Sequence, residues 1–255
     1  MLRIAYFISI LFFLLSCTSQ STVSMNNGYV DFPEVRELKA KTIQLDTALF
    51  RYPFRVHVWD NRAVVLDLHG TDHYFHAFSY PEFRYLSSFG KKGDAPEEML
   101  SAENFRWSEK GLWILDANKS ELTELGFTLS SDTLFRQEVV KLDKAILRAL
   151  DFVIYEDSTF IIPDYTGDNR FCHVSSEGRL LRKFGVIPSA NEEALANSRP
   201  ALAQAWRSFI DYNPRKGVLV AATQLGEVLE IYNLKDSTHV VCIGPHGEPE
   251  FQVAE

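Results

Sequence analysis

Trp59-Asp60-Asn61-Arg62 runs into Ala63-Val64-Val65-Leu66-Asp67, and the same arrangement returns three times. Trp107-Ser108-Glu109-Lys110-Gly111 leads into Leu112-Trp113-Ile114-Leu115-Asp116. Tyr155-Glu156-Asp157-Ser158 leads into Thr159-Phe160-Ile161-Ile162-Pro163-Asp164. Tyr212-Asn213-Pro214-Arg215-Lys216-Gly217 leads into Val218-Leu219-Val220-Ala221-Ala222. Each copy is an aromatic at a strand end, a polar tight turn and then a buried strand. The aromatics stand at 59, 107, 155 and 212, so the steps are 48, 48 and 57 residues. Repeats of this length are sought before motifs because they fix the architecture.

The second half of each unit recurs as well. His73 to Ser79 is followed by a turn at Tyr80-Pro81-Glu82 and a strand from Arg84 to Phe89. Arg170 to Ser175, Ser176-Glu177-Gly178 and Arg179 to Phe184 repeat that order, as do Glu227 to Tyr232 and Thr238 to Ile243. Four short strands per unit are a propeller blade. The expectation is an all-β fold, a β-propeller of four-stranded blades with about four blades present, over 50–92, 100–140, 148–187 and 204–246. The longer last step holds an insertion after Gly185. There, Ser189 and Glu192 have capping-box spacing, which predicts a short helix ending before Pro200. Asp143 to Ala149 reads as a helical turn or a long connection.

Residues 1–17 read as a lipoprotein signal peptide. Arg3 is the positive start, and Ile4 to Leu15 is apolar but too short to span a bilayer comfortably. Leu14-Leu15-Ser16-Cys17 resembles a bacterial lipobox, which makes Cys17 the lipidation site. Residues 18–29 read as a polar tether and 30–255 as the propeller domain. The tether has no acidic run beside Cys17, which favours an anchor facing the periplasm.

The chain has 255 residues, 26 Lys plus Arg and 34 Asp plus Glu, for a formal charge of -8. Such a field repels a phosphate backbone, so nucleic acid is not an expected partner. The 19 Phe and 10 Tyr suit pleated, half-buried strands. Besides Cys17, only Cys172 and Cys242 remain. Both sit in apolar strand-like runs and read as unpaired core thiols.

The run Phe89-Gly90-Lys91-Lys92-Gly93-Asp94-Ala95-Pro96-Glu97-Glu98-Met99 resembles the FGxxGxGPGEF connector of TolB-like six-bladed propeller lipoproteins of the Bacteroides type. It departs at Ala95 and Glu97, where that pattern has glycine. The unit from Phe160 through Asp164, Arg170 and Gly178 to Gly185 is similar to an NHL repeat. The resemblance covers Val30 onward and implies a six-bladed ring at the cell envelope. It implies no reaction.

No GxSxG, HExxH, GxxxxGK[ST] or CxxC motif is present. Asp67, Asp116 and Asp164 each end the second strand of a unit. A carboxylate ring at a propeller mouth can hold a cation or a sugar, while Asp at a strand end also serves to accept amide hydrogen bonds. His69, Asp72 and His73 are the candidate metal ligands, able to share an ion only from a loop. Trp59, Trp107, Tyr155 and Tyr212 are expected to pack between blades rather than form a binding stripe. No cofactor is called for.

The reading favoured by these residues is a lipid-anchored module that binds an envelope protein, peptide or glycan. The competing one is a propeller hydrolase or lyase that uses inward carboxylates with a divalent metal. Propellers host both, and convergence of groups from several blades decides between them. The run Ile243-Gly244-Pro245-His246-Gly247-Glu248-Pro249-Glu250-Phe251 repeats the connector, which predicts an incomplete six-bladed ring. In a closed four-bladed ring, residues 40–46 would pair with 227–243. In an incomplete one, a sheet face would stand open.

Overall fold

The computed structural model describes residues 23–27, 34–45, 50–128 and 131–250. Cys17, the expected lipidation site, lies outside the described residues. Seventeen strands and two α-helices are described. Strand β1 is Val23–Asn27. Blade 1 comprises β2 (Pro53–Trp59), β3 (Arg62–Asp67), β4 (His73–Ser79) and β5 (Tyr85–Lys91). Blade 2 comprises β6 (Ala102–Trp107), β7 (Leu112–Asp116), β8 (Glu121–Thr128) and β9 (Ser131–Lys141). Blade 3 comprises β10 (Val153–Tyr155), β11 (Thr159–Pro163), β12 (Phe171–Val174) and β13 (Leu180–Phe184). Then come α1 (Glu192–Asn197) and α2 (Arg199–Ala205). Blade 4 comprises β14 (Ser208–Asn213), β15 (Val218–Thr223), β16 (Val228–Asn233) and β17 (Thr238–Ile243). Each blade is an antiparallel meander in sequence order.

Local chemistry sets these hairpins. Asp60 and Asn61 both take positive φ, 42° and 58°, between the paired ends Trp59 and Arg62. That is the two-residue turn whose twist matches flanking strands, and Asp and Asn tolerate it. In the connector, Gly90 takes φ 66°, and a Cβ there would meet Phe75 at 2.7 Å. Neither Ala95 nor Glu97 takes positive φ, so the two departures from the connector pattern cost no backbone strain.

Trp59, Trp107, Tyr155 and Tyr212 all fall at the end of the first strand of their blade. The core lies between the blades. Leu66, Phe75, Phe105 and Ile114 join blades 1 and 2. Trp113, Leu115, Phe160, Ile162 and Cys172 join blades 2 and 3. Ile161, Phe171, Ile210 and Leu219 join blades 3 and 4. Cys172 is fully buried and its burial pushes the thiol up to about 12; Cys242 is half-buried, and both are free.

The insertion differs from expectation in two ways. Asn191, not Ser189, caps α1, accepting the Ala194 amide at 2.9 Å. Ser189 instead accepts the Asn191 amide. Two good capping residues stood two positions apart, and the nearer one to the helix won. Pro200 then falls in the first turn of α2, where its missing N–H is no loss. Residues 143–149 form turns and no helix. Leu202, Ala203 and Trp206 pack on Val228 and Val241 of blade 4.

Blades 1 and 4 meet only lightly. Phe54 and Phe209 lie 5.8 Å apart, and Arg55 lies over the Phe209 ring. Among the described residues no buried apolar cluster joins them. The outward face of blade 1 is covered by Leu45, Phe50 and Phe83. The corresponding face of blade 4 keeps Phe209 and Leu229 about 40% exposed. Residues 40–45 form no strand. A different segment lies on blade 4: β1 pairs in parallel with β17, Val23 opposite His239 and Asn27 opposite Ile243. That strand falls inside the segment read as tether.

Candidate functional site

The first strands of the four blades converge on a polar hub. Asp151, at the entry to β10, is its centre and is buried. Its carboxylate accepts from Asn104 Nδ2 and Arg106 Nη2 of blade 2, the latter at 3.0 Å. It also accepts the amides of Phe152 at 2.8 Å and of Ile210, in blade 4, at 3.1 Å. Arg55 of blade 1 stands 3.6 Å away. Arg106 spans further, donating to the Phe152 and Ile210 carbonyls at 2.9 and 2.6 Å. Burial pushes the Asp151 carboxyl up, against the pull of Arg106 and then Arg55. Four donors on two oxygens fit an ionised acceptor. Next to it, burial and then the two guanidiniums lower His57, which stays uncharged near neutral pH.

The hub separates two axial hollows. The larger, about 780 Å³, opens at the turn end and is lined by Trp59, Trp107, Tyr155 and Tyr212. Trp59 and Trp107 stack, with centroids 6.2 Å apart and planes 16° apart. Tyr155 and Tyr212 meet edge-on at 5.2 Å. The four therefore pack between blades in pairs, as expected. They also line one hollow. Equivalent positions in successive blades all face the axis, so inter-blade packing and a common lining are the same placement. Glu109, Glu124, Glu138, Glu156 and Asp211 line it against Lys110 and Arg106, leaving the hollow acidic. The smaller hollow, about 210 Å³, opens at the connector end between Tyr52, Phe54, Arg55, Tyr165, Arg207 and Phe209.

The three aspartates singled out in the sequence lie apart from both hollows. Asp67 accepts the amides of Arg51 and Tyr52 at 2.8 and 2.6 Å. Asp116 does the same one blade later for Leu100 and Ser101, and also holds the Asn118 and Lys119 amides. Each clips the incoming connector to the second strand. Asp164 holds the Thr166 and Asn169 amides of its own loop and pairs with Lys183 at 3.0 Å. All three are buried. His69 packs edge-on against Tyr52, and Asp72 gives its carbonyl to the Lys92 amide. His73 sits opposite Lys91 in the β4–β5 ladder. Among the described residues, no three His, Cys, Asp or Glu side chains come close enough to share a metal ion.

A second buried network joins blades 3 and 4. Arg170, 1% exposed, donates to Glu230 through Nε at 2.9 Å and Nη2 at 2.5 Å, and to Ser208 Oγ at 2.8 Å. Tyr232 donates to the other Glu230 oxygen at 2.6 Å, and His239 stacks on Tyr232 at 3.8 Å. Arg55, Arg106, Asp151 and Glu230 were not singled out in the sequence, and Arg170 was named only as part of the NHL-like unit, without a partner. For Arg55, Arg106 and Glu230 the signal was a charge within a strand, whereas Asp151 and Arg170 stand just ahead of β10 and β12.

Among the described residues, no helix is long and apolar enough to cross a membrane. A member of the DUF4221 family from Bacteroides vulgatus has a similar structure, with TM-score 0.51 and 11% identity over 86% of this chain and 65% of that one. A protein from Bacteroides fragilis described as exported aligns at TM-score 0.48 and 12% identity, over 86% and 80% of the two chains. Virginiamycin B lyase from Staphylococcus aureus aligns at TM-score 0.47 and 10% identity, over 76% and 56%. The chain thus spans less than two thirds of the length of two of these three. No curated protein matches it in sequence. A family model described as TolB-like 6-blade propeller-like matches residues 31–255. That match covers most of the chain, four blades of four strands carry it, and the chain belongs to the TolB-like six-blade-propeller-like family.

Proposed function

We propose that this protein is a lipid-anchored envelope propeller that binds a peptide or glycan in the aromatic hollow at the turn end of its axis. The observation that supports the reading is convergence. Four aromatics from four different blades line one concavity of about 780 Å³, which is the usual form of a ligand site. Flat aromatic faces accept sugar rings and peptide side chains with little loss of conformational freedom. Five carboxylates against two cations in the lining select a neutral or basic ligand over an acidic one. The Tyr212 hydroxyl is buried and has no hydrogen-bond partner among the described residues, so a bound polar group would satisfy it.

Titration of the soluble domain with neutral oligosaccharides and basic peptides should quench the fluorescence of the stacked Trp59–Trp107 pair. Trp107→Ala should weaken binding by about ten-fold, in line with a lost aromatic anchor. Equal affinity in wild type and variant would end the assignment. The anchor is tested separately. Wild-type protein in its bacterial host should incorporate a fatty-acid probe, and Cys17→Ser should not. Equal labelling would show that the lipid is elsewhere or absent.

A further inference from the structure

Glu124 lines the aromatic hollow from β8 and is 5% exposed. A buried carboxylate needs donors, and this one lacks them. The one hydrogen bond it is offered comes from Ser108 Oγ at 3.4 Å, beyond the normal range for two oxygens. That hydroxyl has a single proton, and the Gly111 carbonyl stands closer to it, at 3.1 Å. Glu121, three residues earlier on the same strand, has the ordinary arrangement, since Arg136 and Lys141 hold it. Glu124 has no such cation beside it among the described residues.

The next strand adds a second negative charge. Glu138, also in the lining, stands directly opposite Glu124 in the β8–β9 ladder, which puts their Cβ atoms about 5 Å apart. Like charges in that position repel. Glu138 likewise has no ion pair among the described residues. Arg106, on the same row of blade 2 beyond Trp113, spends its charge on Asp151 at 3.0 Å. Among the described residues no third His, Cys, Asp or Glu gathers with the pair to hold a metal ion, which leaves an organic cation. We infer that the cleft between blades 2 and 3, inside the aromatic hollow, is a subsite for an alkylammonium, the end of a lysine side chain on a peptide. The inference rests on the hollow being the binding site and narrows its ligand to a basic peptide. An ammonium is compact and carries three donors, which suits two separate carboxylates. Depth selects the arm that carries it. A carboxylate this buried is reached only by a thin stem, and the lysine methylenes lie along Trp113, Val153 and Ile154 of the lining. An amino sugar carries its ammonium directly on the ring and is too broad to follow.

Calorimetry on the soluble domain would compare N-acetyl tri-lysine amide, the same peptide acetylated on every side-chain nitrogen, and a glucosamine trimer. The charged peptide should bind about ten-fold or more tighter than the acetylated one, which keeps the stem and loses the charge. Glu124→Gln keeps the shape and should weaken the charged peptide by about ten-fold. Its melting temperature should be unchanged or raised, since it relieves the repulsion from Glu138. A merely structural Glu124 would lower it instead. Glu138→Gln should weaken binding less, because that carboxylate is exposed. Glu193→Gln, on the exposed surface of α1, should change nothing, which separates a built subsite from general attraction to an acidic chain. Equal affinity for the two peptides would overturn the inference, and this arm decides alone if Glu124→Gln folds poorly. So would equal affinity in wild type and Glu124→Gln, or tighter binding of the glucosamine trimer. A neutral oligosaccharide that still loses affinity in Trp107→Ala would then keep the hollow as the site and remove only its lysine subsite.

Discussion

Replacing Arg170 with methionine should cost about 3–5 kcal/mol, the usual penalty for leaving one member of a buried ion pair alone. For a domain of this size that lowers the melting temperature by about 10 °C. Glu230 is fully buried, so without Arg170 it must stay charged in an apolar setting or take up a proton. Replacing both members with apolar residues should recover much of the loss, because the desolvation cost then disappears with the pair. Acid should mimic the single substitution. Burial works to raise the Glu230 carboxyl, but the Arg170 charge, the His239 ring 3.5 Å away and hydrogen bonds from Arg170 and Tyr232 outweigh it and hold it at about 2. A lowered folded pKa gives stability that is complete above the unfolded value, near 4.3. It is lost as pH falls from there through about 2. Thermal melts of wild type between pH 6 and pH 2 should show that decline, and Arg170→Met should flatten it. A variant that melts with wild type at pH 7 would remove this pair from the account of blade 3–blade 4 cohesion.

Asp151→Ala should be comparably severe, about 3–5 kcal/mol, for a different reason. The carboxylate touches every blade: Arg55 of blade 1, Asn104 and Arg106 of blade 2, Phe152 of its own and Ile210 of blade 4. Without it, two guanidiniums face each other across the axis and two backbone amides lose their acceptor. Urea unfolding should start earlier, and trypsin should cut the inner strands at concentrations that leave wild type intact. Asp116→Ala is the control, since that aspartate clips a single connector. A smaller loss for Asp151→Ala than for Asp116→Ala would contradict the central place given to the hub.

The blades were legible because their signals are local. An aromatic, a turn and an apolar strand lie within about ten residues, and Asp60-Asn61 names its own turn type. The two polar networks were not legible because their partners are distant. Arg106 meets the Ile210 carbonyl 104 residues away, and Arg170 meets Glu230 across 60. A charge inside an apolar strand, such as Arg55 between Phe54 and Val56, advertises that a partner exists. Strand register and blade order then decide which residue it is. The shared lining of Trp59, Trp107, Tyr155 and Tyr212 was available in principle. Their shared aromatic–turn–strand pattern placed them on equivalent strands, and equivalent inner strands of a ring all face one axis. The cap of α1 shows the opposite limit, since Ser189 and Asn191 offered competing starts and only side-chain geometry separates them.

Strand β1 changes how far the protein can stand from its proposed anchor. A free tether from Cys17 to the first blade would let the propeller swing over tens of ångströms. Pairing of Val23 to His239 fixes the chain six residues past Cys17. Six residues reach about 20 Å at full extension. The acylated end would thus hold the outermost strand of blade 4, on the circumference, close to the lipid headgroups. The propeller would stand on its rim like a wheel on a road, its axis running along the bilayer. Both axial mouths would then open sideways into the aqueous layer beside the membrane, and neither would be closed by the surface that carries it.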